Sequence, residues 1–276
     1  MTTTPNPVIF TDLDGTLLDQ DTYSFEPAEP ALRLIQLKGI PLILASSKTR
    51  AEIEIYRKKL ENGHPFISEN GGAIFVPKDY FSFSIPYDRE LEEYLVLELG
   101  VYYSQIREVL ETIMRETGIR IKGFYDFSVE DISSLSGLSL KEAAFAKQRE
   151  YDEPFIVEGG EAEVDIVKTK IMMKGFHYAR GGKFHHILGK NDKGKAVEIL
   201  KGLFETQFFS ISTVGIGDSL NDLPMLSVVD QPILLKGKAG FSSSIVEKIK
   251  NLTLMEGTGP QAWNEAILGV LRDSPL

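Results

Sequence analysis

Four short apolar runs, each stopping at a loop of carboxylates, hydroxyls or lysines, constrain this chain more than any other feature. Residues 7–11 run into Asp12-Leu-Asp14-Gly15-Thr16, and residues 40–45 run into Ser46-Ser-Lys48-Thr49. Residues 184–188 precede Gly189-Lys190-Asn-Asp192-Lys193-Gly194, and residues 209–214 precede Gly215-Ile-Gly-Asp218-Ser-Leu-Asn221-Asp222. Short apolar runs bounded by turn residues read as buried strands. Further runs of this kind are 65–68, 73–76 and 232–235, the first two separated by Asn70-Gly-Gly72. Between them lie segments with apolar residues at helical spacing: 27–38, a helix opened by the capping box Thr49/Glu52, then 194–204, 223–228, 243–250 and 260–271. Strands alternating with helices of this length predict a mostly parallel sheet covered on both faces.

The middle of the chain is patterned differently. Helices are expected over 103–116 and 139–148, the second opened by Ser139 and Glu142, with strand-like pieces at 119–121, 154–157 and 184–188 and a polar loop over 123–137. The expected fold is therefore α/β: a Rossmann-like doubly wound parallel sheet core from residues 1–86 and 183–276, carrying an inserted α+β cap domain over 87–182. With 276 residues, both parts are large enough to bury a core.

Composition narrows the chemistry. There is no cysteine, so thiolate catalysis, disulfides and cysteine-based metal sites are excluded. No basic-then-apolar leader and no apolar run of membrane-spanning length is present, and a cytoplasmic setting is expected. The net charge of −10, with no basic patch, disfavours nucleic acid and anionic membranes as partners. An anionic substrate would need a local cluster of cations. Nothing in the sequence bears on oligomeric state.

The loop after the first strand carries two carboxylates two residues apart at the end of an extended segment, where open α/β sheets place ligands. Asp12 can attack phosphorus in line, and Asp14 can protonate the leaving alkoxide and then activate water. Gly15 allows the turn, and Thr16 can contact phosphate or brace the loop. The Asp218 loop offers hard oxygen ligands suited to Mg²⁺, which keeps several waters and needs few carboxylates. Asp218 would ligate directly, while Asn221 and Asp222 would hold metal-bound waters or orient Asp218. Ser46 offers a hydroxyl beside a helix start, which suits an anion, and Lys193 can neutralise phosphoryl charge. Taken singly, each loop is also open to a plainer reading: a polar turn, a helix cap or a solvated surface.

Taken together, the four loops resemble the motifs of the haloacid dehalogenase-like phosphatases, with Asp12/Asp14, Ser46, Lys193 and Asp218/Asp222 in the right order. The resemblance spans nearly the whole chain. It implies a Mg²⁺-dependent phosphatase with Asp12 as nucleophile, Asp14 as acid/base and as a metal ligand through its backbone carbonyl, and a cap that reads the leaving group. Ser46-Ser-Lys48-Thr49 stands where the broad-specificity sugar phosphatases have Thr-Gly-Arg. That segment, Ala179-Arg180-Gly181-Gly182-Lys183-Phe-His185, Arg149-Glu-Tyr-Asp-Glu153-Pro-Phe155 and Glu256-Gly-Thr-Gly-Pro260-Gln-Ala-Trp263 are similar to the mannosyl-3-phosphoglycerate phosphatases. A small phosphorylated sugar-glycerate substrate is thereby implied. Arg180 would pair the glycerate carboxylate, with Gly181 and Gly182 offering backbone amides. Lys48, Lys183 and Asn70 are further substrate-binding candidates, and Glu153 would accept sugar hydroxyls. The alternatives are a phosphatase of glucosyl-3-phosphoglycerate, sucrose phosphate or hexose phosphates, a phosphosugar mutase, and a non-catalytic binder of phosphorylated metabolites. Trp263 and the Met172-Met173 pair are expected to pack, and no histidine is given a catalytic role. His185 and His186 are expected on opposite sides of a strand.

Overall fold

In the computed structural model, which describes residues 5–180, 184–238 and 240–273, the first apolar run is strand β1 (Asn6–Thr11), buried over its last four residues. A short 3-10 turn leads into helix α1 (Glu29–Leu37), then β2 (Leu42–Ala45) and α2 (Arg50–Lys59). The predicted capping box opens α2: Thr49 Oγ1 accepts Glu52 N at 3.2 Å and Glu52 accepts Thr49 N at 2.9 Å. Strands β3 (Phe66–Ser68), β4 (Ala73–Pro77), β5 (Arg89–Glu90) and β6 (Tyr94–Glu98) follow. Next come α3 (Tyr103–Thr117), β7 (Ile121–Gly123), α4 (Val129–Ser136), α5 (Leu140–Ala146) and β8 (Asp152–Val157). Helix α6 (Glu161–Met173) leads to β9 (His177–Arg180), β10 (His185–Leu188), α7 (Lys193–Phe208) and β11 (Ile211–Gly217). The chain ends with α8 (Leu223–Leu226), β12 (Gln231–Leu235), α9 (Ser243–Val246), β13 (Thr253–Met255) and α10 (Gly259–Asp273).

A nine-stranded sheet has the order β13-β12-β11-β1-β2-β3-β4-β6-β5. Pairing is parallel from β13 to β3 and antiparallel across β4, β6 and β5. Strand β1 lies inside, hydrogen-bonded to β11 and β2, so its carboxyl end opens at the centre of the sheet's edge. Its side chains alternate between two buried clusters. Ile9 joins one with Leu44, Trp263 and Ile267, while Val8 and Phe10 join the other with Ile43, Val197 and Leu200. Both faces are therefore covered by helices, as the continuous apolar runs require. Burying a side chain such as Phe10 contributes about 2 kcal/mol.

A second, four-stranded antiparallel sheet has the order β7-β8-β10-β9. Ile106, Leu110 and Ile113 of α3 and Val167 and Ile171 of α6 pack with Phe155 and Ile187 of this sheet. A separate cluster of Phe124, Phe127, Ile132, Leu138, Ala143 and Ala146 holds α4 and α5.

Sheet membership moves both expected domain edges. Strands β5 and β6 extend the large sheet instead of opening the insert at residue 87, because β6 pairs along the whole of β4. Strand β10, on the core side of the expected edge at 183, belongs to the small sheet through β8 and β9. The polar stretch 123–137 contains α4, opened by a capping box of Ser128 and Asp131 that marks a helix without a long apolar stripe. Helix α6 and strands β9 and β13 are additions to the elements expected from the sequence pattern. Met172 and Met173 do not pack: they are 51% and 75% exposed.

Candidate active site

Asp12 leaves β1 where the central strand ends, and its amide still donates to Ile216 O at 2.9 Å. Its carboxylate is buried. Lys193, the first residue of α7, reaches it from the far side of the sequence and donates to Asp12 Oδ1 at 2.5 Å and to Asp222 Oδ1 at 2.7 Å. Carboxylate oxygens of Asp12, Asp218 and Asp222 lie within 4.8 Å of one another. Burial raises the pKa of Asp12 well above the carboxylate range, against the pull of Lys193 and with the push of Asp222, Asp218 and Asp14. Burial, then Asp222, pushes Asp218 up to about 7. Burial works against the Lys193 ammonium, yet Asp12 and Asp222 hold its pKa above the ordinary lysine value. One ammonium facing three crowded carboxylates leaves a surplus of negative charge in hard oxygen donors. That donor set fits Mg²⁺.

Local structure builds this crowding. Gly15 has φ +79°, and a Cβ there would stand 2.7 Å from Asp218 Oδ2, so both the turn and the close approach of two loops require glycine. Asp222 opens α8 and accepts the amides of Asp218 and Ser219, each at 3.1 Å. With Lys193 on its other oxygen, Asp222 orients the loop, and Asp218 is left as the more available ligand. The Asp12 backbone is braced from behind: Trp263 Nε1 donates to Thr11 Oγ1 at 2.9 Å, and Thr11 Oγ1 donates to Asp12 O at 2.8 Å. Trp263 is fully buried, as a core residue should be.

The Asp14 side chain does not join the acidic cluster. Its Oδ1 lies 3.0 Å from Lys48 Nζ, an ion pair outside well-aligned hydrogen-bond geometry. Lys48 is itself buried, 3.7 Å from Glu52 and beneath the rings of Tyr23 and Tyr56, with centroids at 4.9 and 5.7 Å. Burial disfavours this ammonium too, but Asp14 and Glu52 raise its pKa. Lys48 is thus committed to Asp14 in this arrangement. Ser46 is buried, its Oγ accepting Lys48 N at 3.2 Å. The Thr16 hydroxyl is buried without a partner among the described residues. It makes no bond that would brace the loop.

Three expected ligand residues are placed otherwise. The Asn221 amide is engaged at both ends, its oxygen accepting Ser219 Oγ at 2.5 Å and its nitrogen donating to Asn70 Oδ1 at 3.2 Å. Asn70 is buried with its backbone and side-chain groups all bonded to protein. Glu153 is buried in β8, where it accepts Tyr103 Oη at 2.5 Å, Arg107 Nη1 at 3.1 Å and Tyr125 N at 3.2 Å. Those three donors leave it no role as an open acceptor for sugar hydroxyls. Arg180 is exposed at the end of β9, in register with His185. Gly181, Gly182 and Lys183 lie outside the described residues.

Sequence reasoning missed the residues by which the small sheet meets the core. Arg149 Nη1 donates to Ser47 O at 2.8 Å, and its guanidinium lies 4.0 Å from both Glu52 and Asp152. Asp152 is buried and paired with His186 Nδ1 at 3.0 Å, while His185 turns the other way, to Tyr178 at 2.6 Å. Glu69 accepts Glu150 N at 3.0 Å and Tyr151 N at 2.8 Å, and burial pushes its pKa up to about 8. The sequence signals for this junction are Glu52, legible as a helix cap but not as a partner of Lys48 and Arg149, and the segment Arg149–Phe155, legible by resemblance but not by its contacts.

Known proteins are similar to this chain over most of its length. A profile of the haloacid dehalogenase-like hydrolases matches residues 9–237. A Methanococcoides burtonii protein named glucosyl-3-phosphoglycerate/mannosyl-3-phosphoglycerate phosphatase is 49% identical over 265 residues, 96% of this chain and 97% of its own length. A Pyrococcus furiosus mannosyl-3-phosphoglycerate phosphatase is 38% identical over 246 residues, 89% of this chain and 97% of its own. Among solved structures, a Thermoplasma acidophilum protein has the same fold, with a TM-score of 0.68 at 19% identity, covering 96% of this chain and 98% of that one. With a profile match over most of its length and relatives named as phosphatases, the chain belongs to the haloacid dehalogenase-like hydrolases and is, among them, a phosphoric monoester hydrolase.

Proposed function

We propose that this protein is a Mg²⁺-dependent phosphatase of mannosyl-3-phosphoglycerate, releasing mannosylglycerate and phosphate through an aspartyl phosphate on Asp12. The observation that carries the reading is the Lys193 clamp. Lys193 holds Asp12 Oδ1 and leaves Oδ2 to attack, beside a surplus of negative charge. Asp12 and Asp218, with the backbone of Asp14, would hold the cation, which when bound offsets the charge of the phosphoryl oxygens.

In the first half-reaction Asp12 Oδ2 bonds to phosphorus, the bond from phosphorus to the glycerate oxygen breaks, and Asp14 delivers its proton to that oxygen. In the second, Asp14 takes a proton from water, water attacks phosphorus, and the Asp12 carboxylate returns as phosphate leaves. Ser46, Thr16 and Lys193 surround the phosphoryl group, and the small sheet serves as the cap that reads the leaving group and limits water. Arg180, Gly181, Gly182 and Lys183 are assigned to the glycerate carboxylate on sequence grounds, since a guanidinium pairs carboxylates bidentately. We place the reaction in the cytoplasm, where charged phosphorylated metabolites are retained.

The relative at 49% identity is named for both glucosyl and mannosyl substrates, which favours glucosyl-3-phosphoglycerate as a second substrate. Phosphate release from a panel containing both esters, sucrose phosphate, hexose phosphates and 3-phosphoglycerate tests the reading. The expected result is hydrolysis of the two glycosyl-phosphoglycerates well above the rest, with full dependence on Mg²⁺. Preference for simple hexose phosphates would overturn the substrate assignment.

A further inference from the structure

Residues 69–71 form a turn that touches three of the four motif loops and the small sheet, yet belongs to none of the motifs. Glu69, Asn70 and Gly71 are consecutive left-handed residues, with φ of +46°, +55° and +86°. Two neighbouring non-glycine residues in this region cost energy and persist only where the surroundings hold them. Here the holding contacts are explicit. Glu69 N donates to Lys48 O at 3.0 Å and Asn70 N to Ser46 O at 2.9 Å. Asn191 Nδ2 donates to Asn70 O at 3.4 Å. At Gly71 a Cβ would stand 2.2 Å from Asp192 O, so the turn is pressed against the Lys193 loop.

The Asn70 side chain makes the longest reach. Its Nδ2 donates to Asp152 Oδ2 at 3.3 Å, in strand β8 of the small sheet. Its Oδ1 accepts Asn221 Nδ2 at 3.2 Å, in the loop that carries Asp218 and Asp222. A carboxylate can only accept, so Asp152 fixes which end of the Asn70 amide faces which partner. The same polarity continues: Ser219 Oγ donates to Asn221 Oδ1 at 2.5 Å and sits 3.3 Å from Asp222 Oδ2. An unbroken line of donors and acceptors thus runs from the acidic loop to the small sheet, and Asn70 is the link in it that spans the two sheets' territories.

We infer that Asn70 is a positioning residue that ties the orientation of the Asp218–Asp222 loop, and with it the affinity for Mg²⁺, to the seating of the small sheet through Asp152. Asn70 touches neither cation nor substrate in this scheme. The inference rests on the Mg²⁺ reading of the acidic cluster.

A double-mutant cycle read by calorimetry of Mg²⁺ binding tests it on the whole protein, with circular dichroism to establish folding. Asn70→Gly removes the amide and keeps the left-handed backbone without strain. Asp152→Ala removes the partner in the small sheet. Each is expected to weaken Mg²⁺ binding about tenfold, the scale typical of outer groups that orient metal ligands. The double variant is expected to bind no worse than Asn70→Gly alone, because both changes cut one line. Multiplied losses would mean that Asp152 acts as a distant charge and would overturn the inference. So would unchanged binding in Asp152→Ala. If Asp152→Ala does not fold, Asp152→Asn removes one of the two acceptor oxygens and takes its place in the cycle, with the same outcomes supporting or overturning the inference. Wild-type protein that binds no Mg²⁺ would overturn the metal reading and this inference together, whereas additive losses on a binding wild type would overturn this inference alone.

Discussion

Two buried carboxylates, Asp12 in the large sheet and Glu153 in the small one, make an instructive pair. Both sit on strands or at a strand's end, both are buried, and burial raises the pKa of both. Both also read as functional in the sequence. Their surroundings differ. Three donors converge on Glu153, from Tyr103, Arg107 and Tyr125, and Arg107 is shared with Asp126 at 3.1 Å. Asp12 has one cation, which it shares with Asp222 while Asp218 crowds in. A buried carboxylate supplied with donors is a structural member, since its desolvation is offset inside the protein. A buried carboxylate short of donors and close to others calls for a ligand to supply charge.

The strongest way to break this comparison is Asp12→Asn. Turnover should fall by about 10⁴-fold or more, with the fold unchanged by circular dichroism, because the amide keeps the shape but cannot attack phosphorus. Phosphate release near the wild-type rate would remove the nucleophile assignment. Glu153→Ala should act on the other side of the comparison. Stranding Arg107 and two further donors in a buried site should cost about 3–5 kcal/mol in urea unfolding, with kcat of the folded fraction within a few-fold. A stable variant with a raised KM for the sugar ester would instead make Glu153 a substrate ligand.

Mg²⁺ should discriminate between the regions. At a hundredfold excess over its Kd it should stabilise the protein by about 2.7 kcal/mol, seen as a higher Tm. That gain should be lost in Asp218→Asn and kept in a folded Glu153 variant. An equal gain in all three would deny the acidic cluster its cation.

The smallest effect concerns pH. The folded-state pKa of Glu69 is pushed up to about 8, from an ordinary value of 4.5. Between those values the folded chain holds a proton that the unfolded chain releases. Its contribution is therefore present below about pH 4.5 and falls as pH rises towards 8. Glu69→Gln should remove a slope of at most about 1.4 kcal/mol per pH unit inside that window. Urea midpoints of both proteins measured from pH 5 to pH 8 would show it, and parallel curves would count against it.

What is legible in the sequence is local. The run 7–11 and Asp12–Thr16 are adjacent, so strand, turn and paired carboxylates can be read together. The same holds for Thr49 with Glu52 and for the strand before Asp218. Residues 87–98 read as part of the insert because β5 and β6 look like any short strands, and only pairing with β4 puts them in the large sheet. Lys48 reads as a substrate cation because Asp14, its partner, lies 34 positions away by numbering.

The sequence by itself determined the strand-and-helix alternation, the paired-carboxylate loop after the first strand and the supply of hard oxygen groups, because apolar periodicity and turn chemistry act between near neighbours. Only the tertiary structure decided which buried polar groups have partners. Lys193 meets Asp12 across 181 positions and Asn221 meets Asn70 across 151. A carboxylate's role is set by the donors that packing brings to it, and those donors come from other strands.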